Sequence, residues 1–226
     1  MNLKRILMGT VVALACVTVL PPNLHGQVGK SLGVVDANLA SEADLLKMPQ
    51  MTPAIVKGLI GGRNYASIVG LNKYLLGAGL TQEQAMEFYA RAFIHVNLNT
   101  GTREEILLIP GAGRRMTVEF PEYRPWRTFA QFDKEIGKYV SDQAAVDKLK
   151  QYVFIPINLN TATDQDILSI PGSGPRIVRE FKEYRPWTSK AQFDKEIGKY
   201  FGQKETDRLW RFVTLGTDPI STGFPQ

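Results

Sequence analysis

The sequence predicts an all-α protein of three tandem units. A long repeat predicts it first. Asn97-Leu98-Asn99-Thr100 leads to Ile109-Pro110-Gly111-Ala112-Gly113, and Asn158-Leu159-Asn160-Thr161 leads to Ile170-Pro171-Gly172-Ser173-Gly174. An eroded copy lies upstream, where Asp36-Ala37-Asn38-Leu39 precedes Met48-Pro49-Gln50-Met51. Pro49, Pro110 and Pro171 stand 61 residues apart. A fixed period this long marks an array of one small supersecondary unit. Short apolar stripes at helical spacing are the second observation. The third is that nothing in the chain reads as a substantial sheet.

The units span residues 35–95, 96–156 and 157–216. The second and third match at about two thirds of positions between 96–139 and 157–200, where a fixed period reports shared structure. Each unit reads as four helices. Thr102-x-x-Glu105 and Thr163-x-x-Asp166 resemble capping boxes, and Ser41-x-x-Asp44 holds the same place in the first unit. Helix one of the second unit runs from Glu104 to Ile109 and stops at Pro110, since proline disfavours helical geometry in the residue before it. Gly111 and Gly113 make the turn. Helix two begins at Arg114 or Arg115 and reaches about Tyr123. Pro121 stands in it where the third unit has Lys182, which predicts a bend or early stop near Phe120 and none near Phe181.

Arg124-Pro125-Trp126 and Arg185-Pro186-Trp187 are the next joints, with Arg63-Asn64-Tyr65 as the equivalent in the first unit. A third helix covers Ala130 to Gly137 and Ala191 to Gly198. Phe132 and Ile136, and Phe193 and Ile197, form one apolar stripe in each. The fourth helix carries Val146, Leu149 and Tyr152, or Leu209 and Phe212. Val153-Phe154-Ile155 and Val213-Thr214-Leu215 close the units as short extended segments. Residues 217–226 read as a disordered tail.

Residues 1–26 read as a secretory signal peptide. Lys4 and Arg5 precede an apolar run from Ile6 to Leu20 that ends at Pro21-Pro22. A lipoprotein signal ending at Cys16 is the lesser alternative, and an uncleaved anchor a third. The expected location is therefore periplasmic or extracellular. Cys16 is the only cysteine, so a processed chain has no disulfide and no cysteine-based metal site.

The chain carries 27 basic and 22 acidic residues, for a net charge of +5. The three units hold net charges of 0, +1 and +2 in chain order. Domains that hold nucleic acid usually show a clear basic excess. Any anion site here must come from local placement of charge. The Gly-x-Gly turns offer such placement. Glycine accepts positive φ and lets another backbone approach. The following helix start presents free N–H donors and the positive end of the helix dipole. Arg114, Arg115 and Arg176 add cations there. The competing reading is that these glycines only let two helices pack closely.

Trp126 and Trp187 read as anchors within a unit rather than platforms for bases. The asparagines of the Asn-Leu-Asn-Thr strings satisfy local backbone. Lys134, Lys138, Lys195 and Lys199, with Glu135 and Glu196, read as a solvated helix face. Catalysis finds no support. Beyond the signal segment only His95 is a histidine, and no nucleophile or metal cluster is visible.

The string from Asn158 to Arg176, Asn-Leu-Asn-Thr-Ala-Thr…Leu-Ser-Ile-Pro-Gly-Ser-Gly-Pro-Arg, is similar to the helix-hairpin-helix domain of the ComEA competence proteins. The resemblance covers residues 96–215 well and 35–95 weakly. It implies two helix-hairpin-helix motifs per unit and sequence-independent binding of the DNA sugar-phosphate backbone outside the cytoplasm, as a receptor in DNA uptake. It implies DNA contacts at Gly111, Ala112, Gly113, Arg114 and Arg115, and at Gly172, Ser173, Gly174 and Arg176. A monovalent cation at the hairpin carbonyls is the one ion it suggests; no other cofactor and no small-molecule substrate is expected.

The sequence departs from the family where a large aliphatic residue gives way to Ala112 or Ser173. It departs again at the second hairpins, near Val140-Ser141-Asp142 and Phe201-Gly202-Gln203. The first unit has Gln50-Met51-Thr52 at its first hairpin, a turn expected to resist positive φ. At most two of six hairpins keep the binding form on this reading. The alternative function is a protein-interaction or structural module without DNA, with residues 35–95 as the surface for a partner. An extrinsic lumenal subunit of photosystem II resembles the same domain without a DNA role.

Overall fold

The computed structural model describes residues 34–216. The signal segment at 1–26, with Cys16, and the tail at 217–226 lie outside the described residues. What is described is mostly helical with a few two-residue strands. The element order recurs with the sequence repeat. The first repeat holds β1 (Val35–Asp36), α1 (Glu42–Leu45), α2 (Pro53–Gly61), α3 (Ile68–Gly77), α4 (Gln82–Tyr89) and β2 (Ala92–Phe93). The second holds β3 (Val96–Asn97), α5 (Arg103–Leu107), α6 (Gly113–Glu122), α7 (Phe129–Ile136), α8 (Gln143–Lys150) and β4 (Val153–Phe154). The third holds β5 (Ile157–Asn158), α9 (Asp164–Leu168), α10 (Pro175–Glu183), α11 (Lys190–Trp210) and β6 (Val213–Thr214). Gly202 breaks α11 at φ 71° and ψ 164°, so it too is two helices in succession.

The short strands close each repeat on itself. β1 pairs with β2, β3 with β4 and β5 with β6, all parallel, with Val35 opposite Ala92, Val96 opposite Val153 and Ile157 opposite Val213. The sequence marks the extended ends but not this pairing with the starts.

Two further clasps recur in all three copies. Asn38, Asn99 and Asn160 each accept the backbone N–H, and donate to the carbonyl, of Tyr65, Trp126 and Trp187 respectively. Arg63, Arg124 and Arg185 donate at 2.6 Å to the carbonyls of Ala40, Gly101 and Ala162. Each intramolecular hydrogen bond adds about 1 kcal/mol, and more when the donor is charged. Trp126 and Trp187 are buried and donate from Nε1 to Phe120 and Phe181. They therefore fasten the two halves of a repeat, as the sequence suggests. The joint peptide bonds Arg63-Asn64, Arg124-Pro125 and Arg185-Pro186 are cis.

Pro121 produces no early stop. α6 runs through it to Glu122, and α10 ends at the matching Glu183. A proline so near the C-terminal end removes only one ladder bond, and the helix finishes with Tyr123 donating to the Glu119 carbonyl.

One apolar core joins the first two repeats, from Val34 to Ile155, and a second fills the third repeat. Phe93 and Tyr152 meet edge to face across the first join at 5.0 Å. The first repeat also touches the third. The Asn64 amide donates to the Lys204 carbonyl, Arg211 donates to the His95 carbonyl at 3.1 Å, and Arg208 faces Asp36 at 4.0 Å. Among the described residues no helix is long and apolar enough to cross a membrane.

Candidate nucleic-acid interface

The Gly-x-Gly turns sit between α5 and α6 and between α9 and α10. Gly111, Gly113 and Gly172 take φ of 85°, 63° and 76°. Gly174 instead is extended, with Pro175 following it at the first position of α10. Proline suits that position because its missing N–H would be unpaired there. Ala112 is buried and Ser173 half-buried between the glycines, and the Ser173 hydroxyl has no hydrogen-bond partner.

The first repeat makes the same turn without glycine. Gln50 takes φ 64° at the position of Gly111 and Gly172. This corrects the expectation that the turn resists positive φ. The left-handed conformation costs a non-glycine residue about 1–2 kcal/mol. Packing outweighs it, since the next residue, Met51, is buried in the core as Ala112 is.

What separates the copies is the state of the helix start. Nine of the eleven described helices have a Ser, Thr or Asp N-cap whose side chain accepts a first-turn N–H. α6 and α10 have none, and Gly202, which opens the second part of α11, has no side chain to supply one. At α2, Thr52 stands where Gly174 stands at α10, and its hydroxyl accepts from the Ile55 amide. The first repeat therefore closes its own start, while the second and third leave first-turn donors open. A helix start with open N–H groups favours a negative charge.

The cations differ between the two open turns. Arg114 is exposed, and its guanidinium has no ion pair among the described residues. Arg115 pairs with Glu119 at 3.3 Å and lies 4.2 Å over the Tyr139 ring. Arg176 lies between Tyr200 and Phe201, at 5.2 and 5.3 Å from their rings. The glutamate matching Glu119, Glu180, pairs with Arg179 at 2.7 Å instead. Arg176 thus has no carboxylate partner among the described residues.

The third-repeat turn also has neighbours from afar. A Cβ on Gly172 would lie 2.9 Å from Leu39 and 3.3 Å from Arg208 Nη2, while nothing lies within 4 Å of that position on Gly111. Behind it the junction is charged and buried. Asp36, His95 and Arg208 are each nearly inaccessible, and Arg208 also donates to Glu205 at 2.6 and 2.8 Å. Burial holds the His95 imidazole below its ordinary pKa, with Asp36 opposing and Arg211 assisting.

Two features escape the sequence reading. Gly77-Ala78-Gly79, at the second turn of the first repeat, is a further Gly-x-Gly, with Gly79 at φ 96°. The helix after it is closed, because Thr81 and Gln84 form a capping box at the start of α4. The second feature is a set of tyrosines and lysines beside α6 and α10. Lys134 and Lys195 are exposed as a solvated face requires, but Lys138 and Lys199 lie over tyrosine rings. Among the described residues no group of His, Cys, Asp or Glu could hold a metal ion. No family model, curated protein or solved structure matches the chain.

Proposed function

We propose that this is an exported, non-enzymatic DNA-binding protein of three tandem helix-hairpin-helix units. It grips the sugar-phosphate backbone without sequence preference, as a receptor in DNA uptake does. The observation that carries the reading is the pair of uncapped helix starts at α6 and α10, each beside a Gly-x-Gly turn and an arginine free of carboxylate partners. At the nine capped helix starts of the described chain a hydroxyl or carboxylate side chain occupies the place a phosphate oxygen takes here. Backbone amides and arginine guanidinium groups contact phosphate and read no base, so the contacts position a duplex without selecting its sequence.

The carbonyls of Ile109 and Ile170 each accept one turn amide, from Ala112 and Ser173. A carbonyl carries two lone pairs, so these turns also fit a monovalent cation. Export rests on the N-terminal segment at 1–26.

The first repeat plays a different part. Its first-turn donors are satisfied by Thr52 and Thr81, and it packs on both other repeats. This favours a protein-packing role for residues 35–95, and it is the feature that supports the alternative of a structural module without DNA.

The test is a titration of the full chain with duplex DNA across salt concentrations. If each open hairpin holds about two phosphates, log K falls against log salt with a slope of about −3.6 or steeper. Replacing Arg114, Arg115 and Arg176 with alanine weakens binding and flattens the slope. No binding at low salt overturns the reading in favour of the structural module.

A further inference from the structure

Beside the open start of α6, Tyr123, Lys138 and Tyr139 gather around Arg115. The two tyrosine hydroxyls hydrogen-bond at 2.7 Å, and the Lys138 ammonium lies 5.4 Å from the Tyr123 ring. The third repeat builds the same cluster. Tyr184 and Tyr200 meet at 2.9 Å, Lys199 lies 5.7 Å from the Tyr184 ring, and Arg176 lies over Tyr200.

The first repeat has Ala54, Gly62, Gly77 and Ala78 at these four positions. The whole cluster is therefore present in the two repeats with open helix starts and absent from the one that closes its own. Packing accounts for the rings, since Tyr123, Tyr139 and Tyr184 lie partly buried against the cores, but not for the exposed lysines and arginines that accompany them.

The charges are layered. Lys138 pairs with Glu135 and Lys199 with Glu196, yet the lysines are 50% and 49% exposed and the carboxylates 13% and 11%. Arg115 and Glu119 show the same order, at 61% and 14%. The acids lie behind and the cations stand forward. A paired set of two phenols uses one proton between them and leaves the other to donate outward.

We propose that each cluster is a second phosphate site for the nucleic-acid backbone. Its side chains take over where the second turn of the repeat lacks a Gly-x-Gly pair. The second and third repeats then each hold the backbone at two adjoining points. The proposal rests on the reading of the α6 and α10 starts as phosphate sites.

The test uses the full chain carrying Lys138→Gln, Tyr139→Phe, Lys199→Gln and Tyr200→Phe, titrated with duplex DNA across salt. One more phosphate per cluster steepens the wild-type slope to about −5.4, and the variant returns to about −3.6 with affinity lowered roughly tenfold or more at moderate salt. Should the tyrosine changes lower the melting temperature, Lys138→Gln with Lys199→Gln alone carries the test, because the lysine charges set the slope. An unchanged slope in this variant, with a flattened slope in Arg114→Ala, overturns the second sites and leaves the hairpin reading standing. A wild-type chain that binds no duplex at low salt overturns both.

Discussion

The carboxylate of Asp36, in the first strand, faces the guanidinium of Arg208, in the last helix, at 4.0 Å, and both side chains are buried. This pair lies at the seam where the first repeat meets the third. The two partners are not equally dependent on it. Arg208 keeps both bonds to Glu205, whereas Asp36 Oδ2 has no hydrogen bond and its Oδ1 accepts only from the Asn38 amide.

Removing Arg208 should therefore cost more than removing the charge of Asp36. Leaving a buried charge without its partner costs about 3–5 kcal/mol. Arg208→Met is expected to lose stability in that range, and Asp36→Asn clearly less. Urea melts of the two variants check the order. Equal losses would mean that Asp36 and Arg208 depend on the pair to the same extent, against the asymmetry of their other bonds.

His95 gives the seam a pH dependence. Burial holds its folded pKa below the ordinary value of 6.5, against Asp36 and with Arg211, while the Gln151 backbone also opposes the shift. The unfolded chain then binds a proton that the folded chain refuses. The stabilising contribution is complete above about pH 6.5 and is lost as pH falls from there towards the folded pKa. Thermal melts from pH 7 to pH 5 should show falling stability, and His95→Phe should remove much of that slope. A variant with an undiminished slope would assign the acid sensitivity elsewhere.

The turn glycines should respond unequally to alanine. Gly111→Ala meets only the left-handed backbone, a cost of about 1–2 kcal/mol. Gly172→Ala meets the same backbone strain and also presses on Leu39 and Arg208. It should be the more destabilising, and it should loosen the contact between first and third repeats. Denaturant melts and limited proteolysis near Ala40 read both effects. Equal melts would mean that Leu39 yields without cost.

Much of this was legible in the sequence. The 61-residue spacing located the repeats, the Ser and Thr caps at 41, 102 and 163 located helix starts, and Gly111 and Gly172 located left-handed turns. Gln50 was misleading because propensity at one residue yields to the packing of Met51. Nothing local in the sequence marks Asp36 and Arg208 as partners, because the seam is made by the packing of distant repeats. In the run Ala130 to Tyr139, identical to Ala191 to Tyr200, the lysines and Glu135 or Glu196 read as a solvated face beside the apolar stripe. The tyrosines of the run gain meaning only when the end of α7 folds back beside α6, a tertiary relation that periodicity does not encode.

The most direct measurement concerns Gly174. It is extended, has open space where a Cβ would stand, and matches Thr52 in the first repeat. Gly174→Ser should install the missing cap on α10, with its hydroxyl accepting from the Ile177 amide. The gain in stability is small, a few tenths of a kcal/mol. The same hydroxyl takes the place of a phosphate oxygen. Melting temperature and duplex affinity, measured together on this variant, should therefore move in opposite directions: a chain at least as stable, with weaker DNA binding and a flatter salt slope. A chain that is equally or more stable and binds duplex as tightly as the wild type would contradict the claim that open helix starts hold the backbone.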